Sequence, residues 1–236
     1  MERQEDSNYP VHVAIIIDGN GRWAKKNGES RSFGYQSGSK VVLDMMLAAL
    51  ELHIKYFTIY AFSLENWKRP KEEVDIIMRL IHTSIDEEVI LKHNIRFKFL
   101  GKSEMLPPEL NEYLHHLESV TGEKTEMVFT VCISYSSKSE ITDAVKALFN
   151  YFTKNKLDIN QITENEISRF LSSNFLPNPD LIIRTGGEYR LSNFMLWQSA
   201  YSELYFLEKY WPDFNREDLL QAIQHYQKRE RRYGGV

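Results

Sequence analysis

An aspartate, two glycines and an arginine stand together at Asp18-Gly19-Asn20-Gly21-Arg22, directly after the apolar run 11–17 (VHVAIII). The glycines permit a tight turn and close backbone approach, and the residues from Arg22 to Lys26 read as helical. A strand, a Gly-rich turn and a helix start present free N–H groups and the positive end of the helix dipole to an anion. Arg22 adds a charge-assisted contact of the kind phosphates attract. Asp18, at the strand's end, is suited to a divalent ion, because Mg²⁺ on a diphosphate takes one or two carboxylate oxygens. The competing reading is an Asn-Gly hairpin turn, disfavoured because no partner strand follows Trp23. Arg31, with Gly34 and Gly38 nearby, either extends this anion site or is a solvated surface arginine.

Two further motifs have the same placement. Ser63, Glu65, Asn66 and Arg69 follow the run 56–62 (YFTIYAF), and they read equally well as a capped loop entering a helix at Pro70, with Trp67 as core. Arg184, Arg190 and Ser192, with a double glycine between, follow the run LIIR. Arginine's planar fork suits phosphate, so the segment is a second oxyanion candidate, and a charged surface loop is the alternative. Glu203 is a metal ligand or a plain structural carboxylate. The basic end 229–235 (RERRYGG) is a solvated tail or an arm reaching an anionic ligand across a dimer.

The elements that must position these motifs are six short apolar runs alternating with helical patterns. The runs are 11–17, 56–62, 95–100, 127–134, 181–184 and 203–206. The run 95–100 alternates as IRFKFL, and the runs that are apolar on both faces suit a mainly parallel sheet covered by helices. Pro70 is expected to open a helix in which Val74, Ile77, Met78, Ile81, Ile85 and Val89 recur at spacings of three and four. Pro107 and Pro108 open another, which Gly122 could close. Ser137 with Glu140, and Thr163 with Glu166, read as capping boxes. The stretch 41–52 is apolar nearly all round, so it is buried or lines an apolar cavity. Ligands of open α/β sheets gather beyond the carboxyl ends of the strands, and all three motifs follow strands. Residues 1–10 read as a flexible lead-in, and 11–236 as one α/β domain.

Composition bounds the remaining possibilities. The chain has 236 residues, 42% hydrophobic and 26% charged, and a chain of this size buries about 70–75% of its unfolded surface without a disulfide or metal staple. With 29 Lys+Arg against 33 Asp+Glu, the formal charge is −4, which disfavours a wholesale nucleic-acid binder. No run reaches 18 apolar residues. The acidic start lacks the form of a signal peptide, and the lone Cys132 fits a reducing compartment. The expected location is cytoplasmic.

The strings HVAIIIDGNGRWAKK (12–26), YAFSLENWKRPKEEV (60–74), DLIIRTGGEYRLSNFMLWQSAYSELYF (180–206), WPDF (211–214) and RERRYGG (229–235) resemble, in order and spacing, those of the cis-prenyltransferase (undecaprenyl diphosphate synthase) family. The resemblance implies a homodimer whose subunits have a mostly parallel six-stranded sheet and helices enclosing an apolar tunnel. It implies Mg²⁺-dependent condensation of isopentenyl diphosphate with an allylic diphosphate of farnesyl or geranyl type. The product it implies is a Z-polyprenyl diphosphate serving a carrier lipid, with peripheral membrane contact expected for its release. By the same resemblance Asp18, Asn20 and Asn66 are catalytic. Gly19, Gly21, Arg22, Trp23, Arg31, Tyr35, Ser63, Glu65, Trp67 and Arg69 shape the allylic site and the reacting region. Glu73 opens the helix beside the tunnel. Arg184, Arg190 and Ser192 take isopentenyl diphosphate. Asp18 and Glu203 serve the metal, and Arg232 and Gly234 complete a partner's site. Tyr35 and Tyr189 stand where the family usually carries histidines, and 134–138 (SYSSK) departs from its usual string. A specialised short-chain or irregular prenyl diphosphate synthase is therefore the alternative, and a non-catalytic activating subunit a more distant one.

Overall fold

The computed structural model describes residues 8–231. Six strands form one sheet: β1 (His12–Ile16), β2 (Tyr56–Ser63), β3 (Ile95–Leu100), β4 (Met127–Tyr135), β5 (Leu181–Arg184) and β6 (Glu203–Phe206). Their order is β3-β4-β2-β1-β5-β6, and every neighbouring pair is parallel. The mostly parallel sheet expected from the sequence is thus wholly parallel. β1 lies between β2 and β5, with Ile16 opposite both Tyr60 and Arg184. That placement makes the loops after β1, β2 and β5 neighbours although they lie far apart in the chain.

Among the described residues seven α-helices connect the strands and an eighth follows β6: α1 (Asn20–Lys26), α2 (Arg31–Glu51), α3 (Lys71–Ser84), α4 (Glu87–Lys92), α5 (Pro108–Val120), α6 (Ser137–Asn155), α7 (Glu164–Phe170) and α8 (Arg216–Gln227). Strand residues alternate between two cores, as a period of two requires. Val13 and Ile15 enter the larger core, built with Met45 and Met46 of α2, Ile77 and Met78 of α3, Leu114 of α5 and Ile223 of α8. Ala14 and Ile16 enter a smaller one with Tyr60, Tyr135, Phe194 and Met195. The apolar stretch in α2 is buried at Val41, Met45, Met46, Ala48 and Ala49, as its all-round hydrophobicity predicts.

Local expectations were revised at four places. The helix expected from Pro70 through Val89 breaks at Ile85, whose backbone is extended. Asp86 starts α4 instead, its side chain accepting from Val89 N, and that cap outcompetes continuation of the helix. Ser137 and Glu140 form no capping box, because Ser136 is the N-cap residue and the Ser137 hydroxyl accepts from Leu196 N. Thr163 does accept from Glu166 N. α5 ends at Thr121 rather than Gly122, the Thr121 hydroxyl donating to Leu117 O. The lead-in is anchored at its end, where Tyr9 donates to Leu52 O and Pro10 is buried; residues 1–7 lie outside the described residues. Among the described residues no helix is long and apolar enough to cross a membrane.

Candidate active site

Gly19 turns the chain from β1 into α1 with a left-handed φ of 107°. A Cβ there would meet Tyr210 Cδ1 at 2.7 Å, so both conformation and space demand glycine. Asp18, one residue earlier, is held from three sides. Its Oδ1 accepts from Gly19 N at 2.6 Å, its Oδ2 from Arg184 Nη2 at 2.9 Å, and Arg22 pairs with the same Oδ2 at 3.1 Å. Thr185 fixes the backbone beneath, its hydroxyl donating to Asp18 O and accepting from Asp18 N. The side chain of Arg184 is only 5% exposed. Its Nη1 donates to Ser192 Oγ at 2.7 Å and to the Arg190 carbonyl, while its buried Nε has no partner.

A second knot joins α2 to α3. Tyr35 donates to Glu73 Oε1 at 2.6 Å, Arg69 Nη1 donates to the Tyr35 hydroxyl at 3.1 Å, and Arg31 approaches the other Glu73 oxygen at 3.4 Å. Burial, followed by the bond to Glu73, raises the Tyr35 hydroxyl above its ordinary pKa of 10, so it remains protonated through the neutral range. Glu188 bridges Arg22 and Arg190. The bond from Arg190, with Arg22 nearby, holds its carboxyl below the ordinary range. Five arginines therefore meet three carboxylates at this mouth, which leaves an excess of positive charge for an anion.

The mouth opens into a cavity of about 930 Å³. Asp18, Asn20, Arg22, Arg31, Tyr35, Ser63, Asn66, Arg69, Arg184, Arg190 and Ser192 line it, with Gly19 and Gly21 between them. Deeper, the lining is apolar: Ile59, Phe62, Ile77, Leu80, Ile81 and Ile85. Gly38 and Trp211 close one wall. A Cβ on Gly38 would fall 1.9 Å from Asn20 Oδ1, an oxygen that is buried without a hydrogen-bond partner.

Four expected site residues are not brought to this cavity. Trp23 donates to Asp213 Oδ1 and stacks on Phe33. Trp67 donates to Ser134 Oγ and meets Phe62 edge-on. Glu65 accepts from Asn193 Nδ2; burial alone would raise its carboxyl, but that bond and its neighbours hold it below the ordinary range. Glu203 begins β6 beside Leu181, at the amino end of the sheet. Three strand steps of about 3.3 Å separate it from the carboxyl end, so within one chain it cannot share an ion with Asp18. Its carboxylate faces Arg229 at 3.8 Å. Arg232 and Gly234 lie outside the described residues. Conversely, Glu188 and Thr185 join the site although their types and spacing had not singled them out. Only their place after β5 pointed to them.

No cluster of three or more His, Cys, Asp or Glu suited to a metal exists among the described residues. Asp18 offers a carboxylate from the end of β1 into the cavity. Such a site fits Mg²⁺ held chiefly by substrate oxygens, since Mg²⁺ commonly keeps waters and takes one or two carboxylates plus phosphates.

An arginine-rich mouth at the carboxyl ends of a parallel sheet, continuous with an apolar cavity, defines a protein for molecules with an anionic head and an oily tail. Residues 16–234 match a prenyltransferase family model described as "Putative undecaprenyl diphosphate synthase". The chain is 48% identical over 229 residues to an isoprenyl transferase of Thermotoga maritima, covering 96% of this chain and 97% of that one. It is 43% identical to a farnesyl-diphosphate-specific ditrans,polycis-undecaprenyl-diphosphate synthase of Buchnera aphidicola, covering 95% of this chain and 91% of that one. Its fold superposes with a TM-score of 0.94 on lavandulyl diphosphate synthase of Lavandula x intermedia in complex with dimethylallyl diphosphate, at 34% identity over 97% of this chain and 99% of that one. The chain belongs to the undecaprenyl diphosphate synthase family of prenyltransferases.

Proposed function

We propose that this protein is a cis-prenyltransferase that condenses isopentenyl diphosphate with an allylic diphosphate to make a Z-polyprenyl diphosphate, a carrier-lipid precursor. The observation that carries this reading is the continuity of the arginine mouth with the apolar cavity. The allylic head sits against Arg22, Arg31, Arg69 and the first turn of α1, with Tyr35, which donates to Glu73 and accepts from Arg69, holding the Arg69 guanidinium in place. The isopentenyl head sits against Arg184, Arg190 and Ser192. When the allylic C–O bond breaks, its electron pair leaves with the diphosphate. Prearranged arginines stabilise that developing charge most in the transition state. The isopentenyl π bond then attacks the cationic carbon, and holding the two heads side by side supplies proximity worth up to about 7–11 kcal/mol in favourable cases. A diphosphate oxygen takes the proton lost on forming the new double bond. The lengthening chain moves into the cavity, each buried CH₂ contributing about 0.8 kcal/mol.

Asp18 would hold a Mg²⁺ together with the substrate's diphosphate oxygens, and the bound ion would supply Lewis-acid stabilisation of the leaving group. A homodimer in the cytoplasm, touching the membrane to release product, completes the proposal. The exposed Val145 and Phe149 on α6 support an apolar contact between copies, and the buried free thiol of Cys132 suits a reducing compartment.

The test incubates the purified protein with Mg²⁺, isopentenyl diphosphate and, in turn, farnesyl, geranyl and dimethylallyl diphosphate. Absence of any longer prenyl product overturns the proposal. A second reading, irregular or short-chain coupling, draws on Tyr35 and on the likeness to lavandulyl diphosphate synthase. Chromatography separates the two, because a product of many isoprene units excludes the second.

A further inference from the structure

Ser192, Asn193 and Met195 have φ values of 48°, 65° and 44°. Left-handed backbone is unfavourable for such residues, least so for asparagine, and persists only where the surroundings hold it. Phe194 supplies an apolar anchor, fully buried and stacked on Tyr60 with ring centroids 4.6 Å apart. Asn193 supplies the polar one. Its main-chain O accepts from Ser137 N at 2.9 Å and its Oδ1 from Lys138 N at 3.0 Å. Its Nδ2 donates to Glu65 Oε1 at 2.8 Å and to Ser136 Oγ at 2.6 Å. The side-chain amide thus uses both donors and its acceptor. One side chain after β5 ties the loop after β2 to the loop after β4.

Neither Asn193 nor Glu65 lines the cavity, but their neighbours do: Ser192 on one side, Ser63 and Asn66 on the other. We propose that Asn193 is a positioning residue that, through Glu65, locks the segment of Arg184, Arg190 and Ser192 to the loop of Ser63, Asn66 and Arg69, and so sets the isopentenyl site against the allylic one. This rests on the function proposed above. A role limited to capping α6 accounts for the bonds to Ser137 and Lys138 but has no use for the bond to Glu65, and that difference makes the idea testable.

Asn193→Asp tolerates the same backbone and retains the acceptor for Lys138, but it loses the donors and sets two carboxylates face to face. Loss of one such bond is expected to raise KM for isopentenyl diphosphate about tenfold while leaving KM for the allylic diphosphate within about twofold. Glu65→Ala should give the same selective rise; Glu65 is exposed and its loss leaves the α6 cap untouched, so this variant stands in if Asn193→Asp does not fold. Adding Glu65→Gln to Asn193→Asp reverses donor and acceptor at constant charge, with the Ser136 hydroxyl now donating, and should bring KM for isopentenyl diphosphate back to within about threefold of the parent. An unchanged KM in Glu65→Ala, equal rises for both substrates, or no recovery in the swapped pair overturns the proposal. If the parent protein turns over no substrate pair, the functional reading falls. Calorimetry with inorganic pyrophosphate then decides the positioning role: equal affinity in parent and Asn193→Asp overturns it, and about tenfold weaker binding upholds it.

Discussion

Arg184 Nη2 lies 2.9 Å from Asp18 Oδ2, so the carboxylate at the end of β1 is the counter-ion of a guanidinium only 5% exposed at the end of β5. Removing Asp18 leaves that buried cation with the Ser192 hydroxyl and the Arg190 carbonyl, and removes the carboxylate proposed to hold Mg²⁺. Asp18→Ala is expected to keep its circular dichroism and to lose at least about 10²-fold in kcat, the scale of deleting one electrostatic stabiliser of a transition state. Steady-state kinetics at saturating Mg²⁺ check this, and an unaltered kcat would remove Asp18 from the reaction.

Tyr35 and Glu73 predict a pH profile. The raised Tyr35 hydroxyl stays neutral below pH 10, so residue 35 contributes no slope to kcat/KM between pH 5.5 and 8. Tyr35→His should retain or raise activity and add a limb near the ordinary histidine pKa of about 6.5, with binding of the anionic head stronger on the acid side. Tyr35→Phe removes the donor to Glu73 and the acceptor for Arg69, and should raise KM for the allylic diphosphate about tenfold. Rate–pH profiles of the three proteins check both statements; a large loss in Tyr35→His would give Tyr35 a role that a cationic donor cannot fill.

The strands were legible as short apolar runs between helical patterns, β3 by its alternation of apolar and charged residues (IRFKFL), and the bounds of β3, β5 and β6 coincide with their runs. Their convergence was legible only as a tendency of ligands to gather at strand ends. That Asp18 meets Arg184 depends on β1 lying beside β5, which no local pattern encodes. The break at Ile85 was hidden because Val89 continues the helical spacing while Asp86 caps a new helix. Glu65 misled because the 3-10 turn over Leu64–Lys68 directs neighbouring side chains to different faces, so a polar residue after a strand need not face the cavity. Asn193 was silent in sequence because its partners are 55 to 128 positions away.

His12 links stability to pH. It is fully buried in β1, with Nδ1–H donating to Pro177 O and Nε2 accepting from Thr58 Oγ1. Burial lowers its pKa from 6.5 to about 4, outweighing the bond to Pro177 and the charge of Asp180. The unfolded chain therefore binds the proton more readily than the folded one. The stabilisation is complete above pH 6.5 and is lost as pH falls toward 4, a total of about 3 kcal/mol. The thermal midpoint should drop across that window, and His12→Gln should flatten that part of the curve. A wild-type midpoint constant from pH 6.5 to 4 would mean His12 is not held neutral.

Leu80, half-buried on α3, lines the deep part of the cavity. Chain growth continues while each added isoprene unit finds apolar space, and stops when its five carbons, worth about 0.8 kcal/mol each on burial, meet a wall. Leu80→Trp fills part of that space from a site that is only partly packed, so the fold should tolerate it. The product distribution should shift toward shorter chains with kcat for the first condensation nearly unchanged. Leu80→Ala should shift it the other way, because the removed side chain leaves room instead of a closed void. Reversed-phase chromatography of dephosphorylated products reads both shifts, and identical product lengths in the two variants would place the chain's end away from α3.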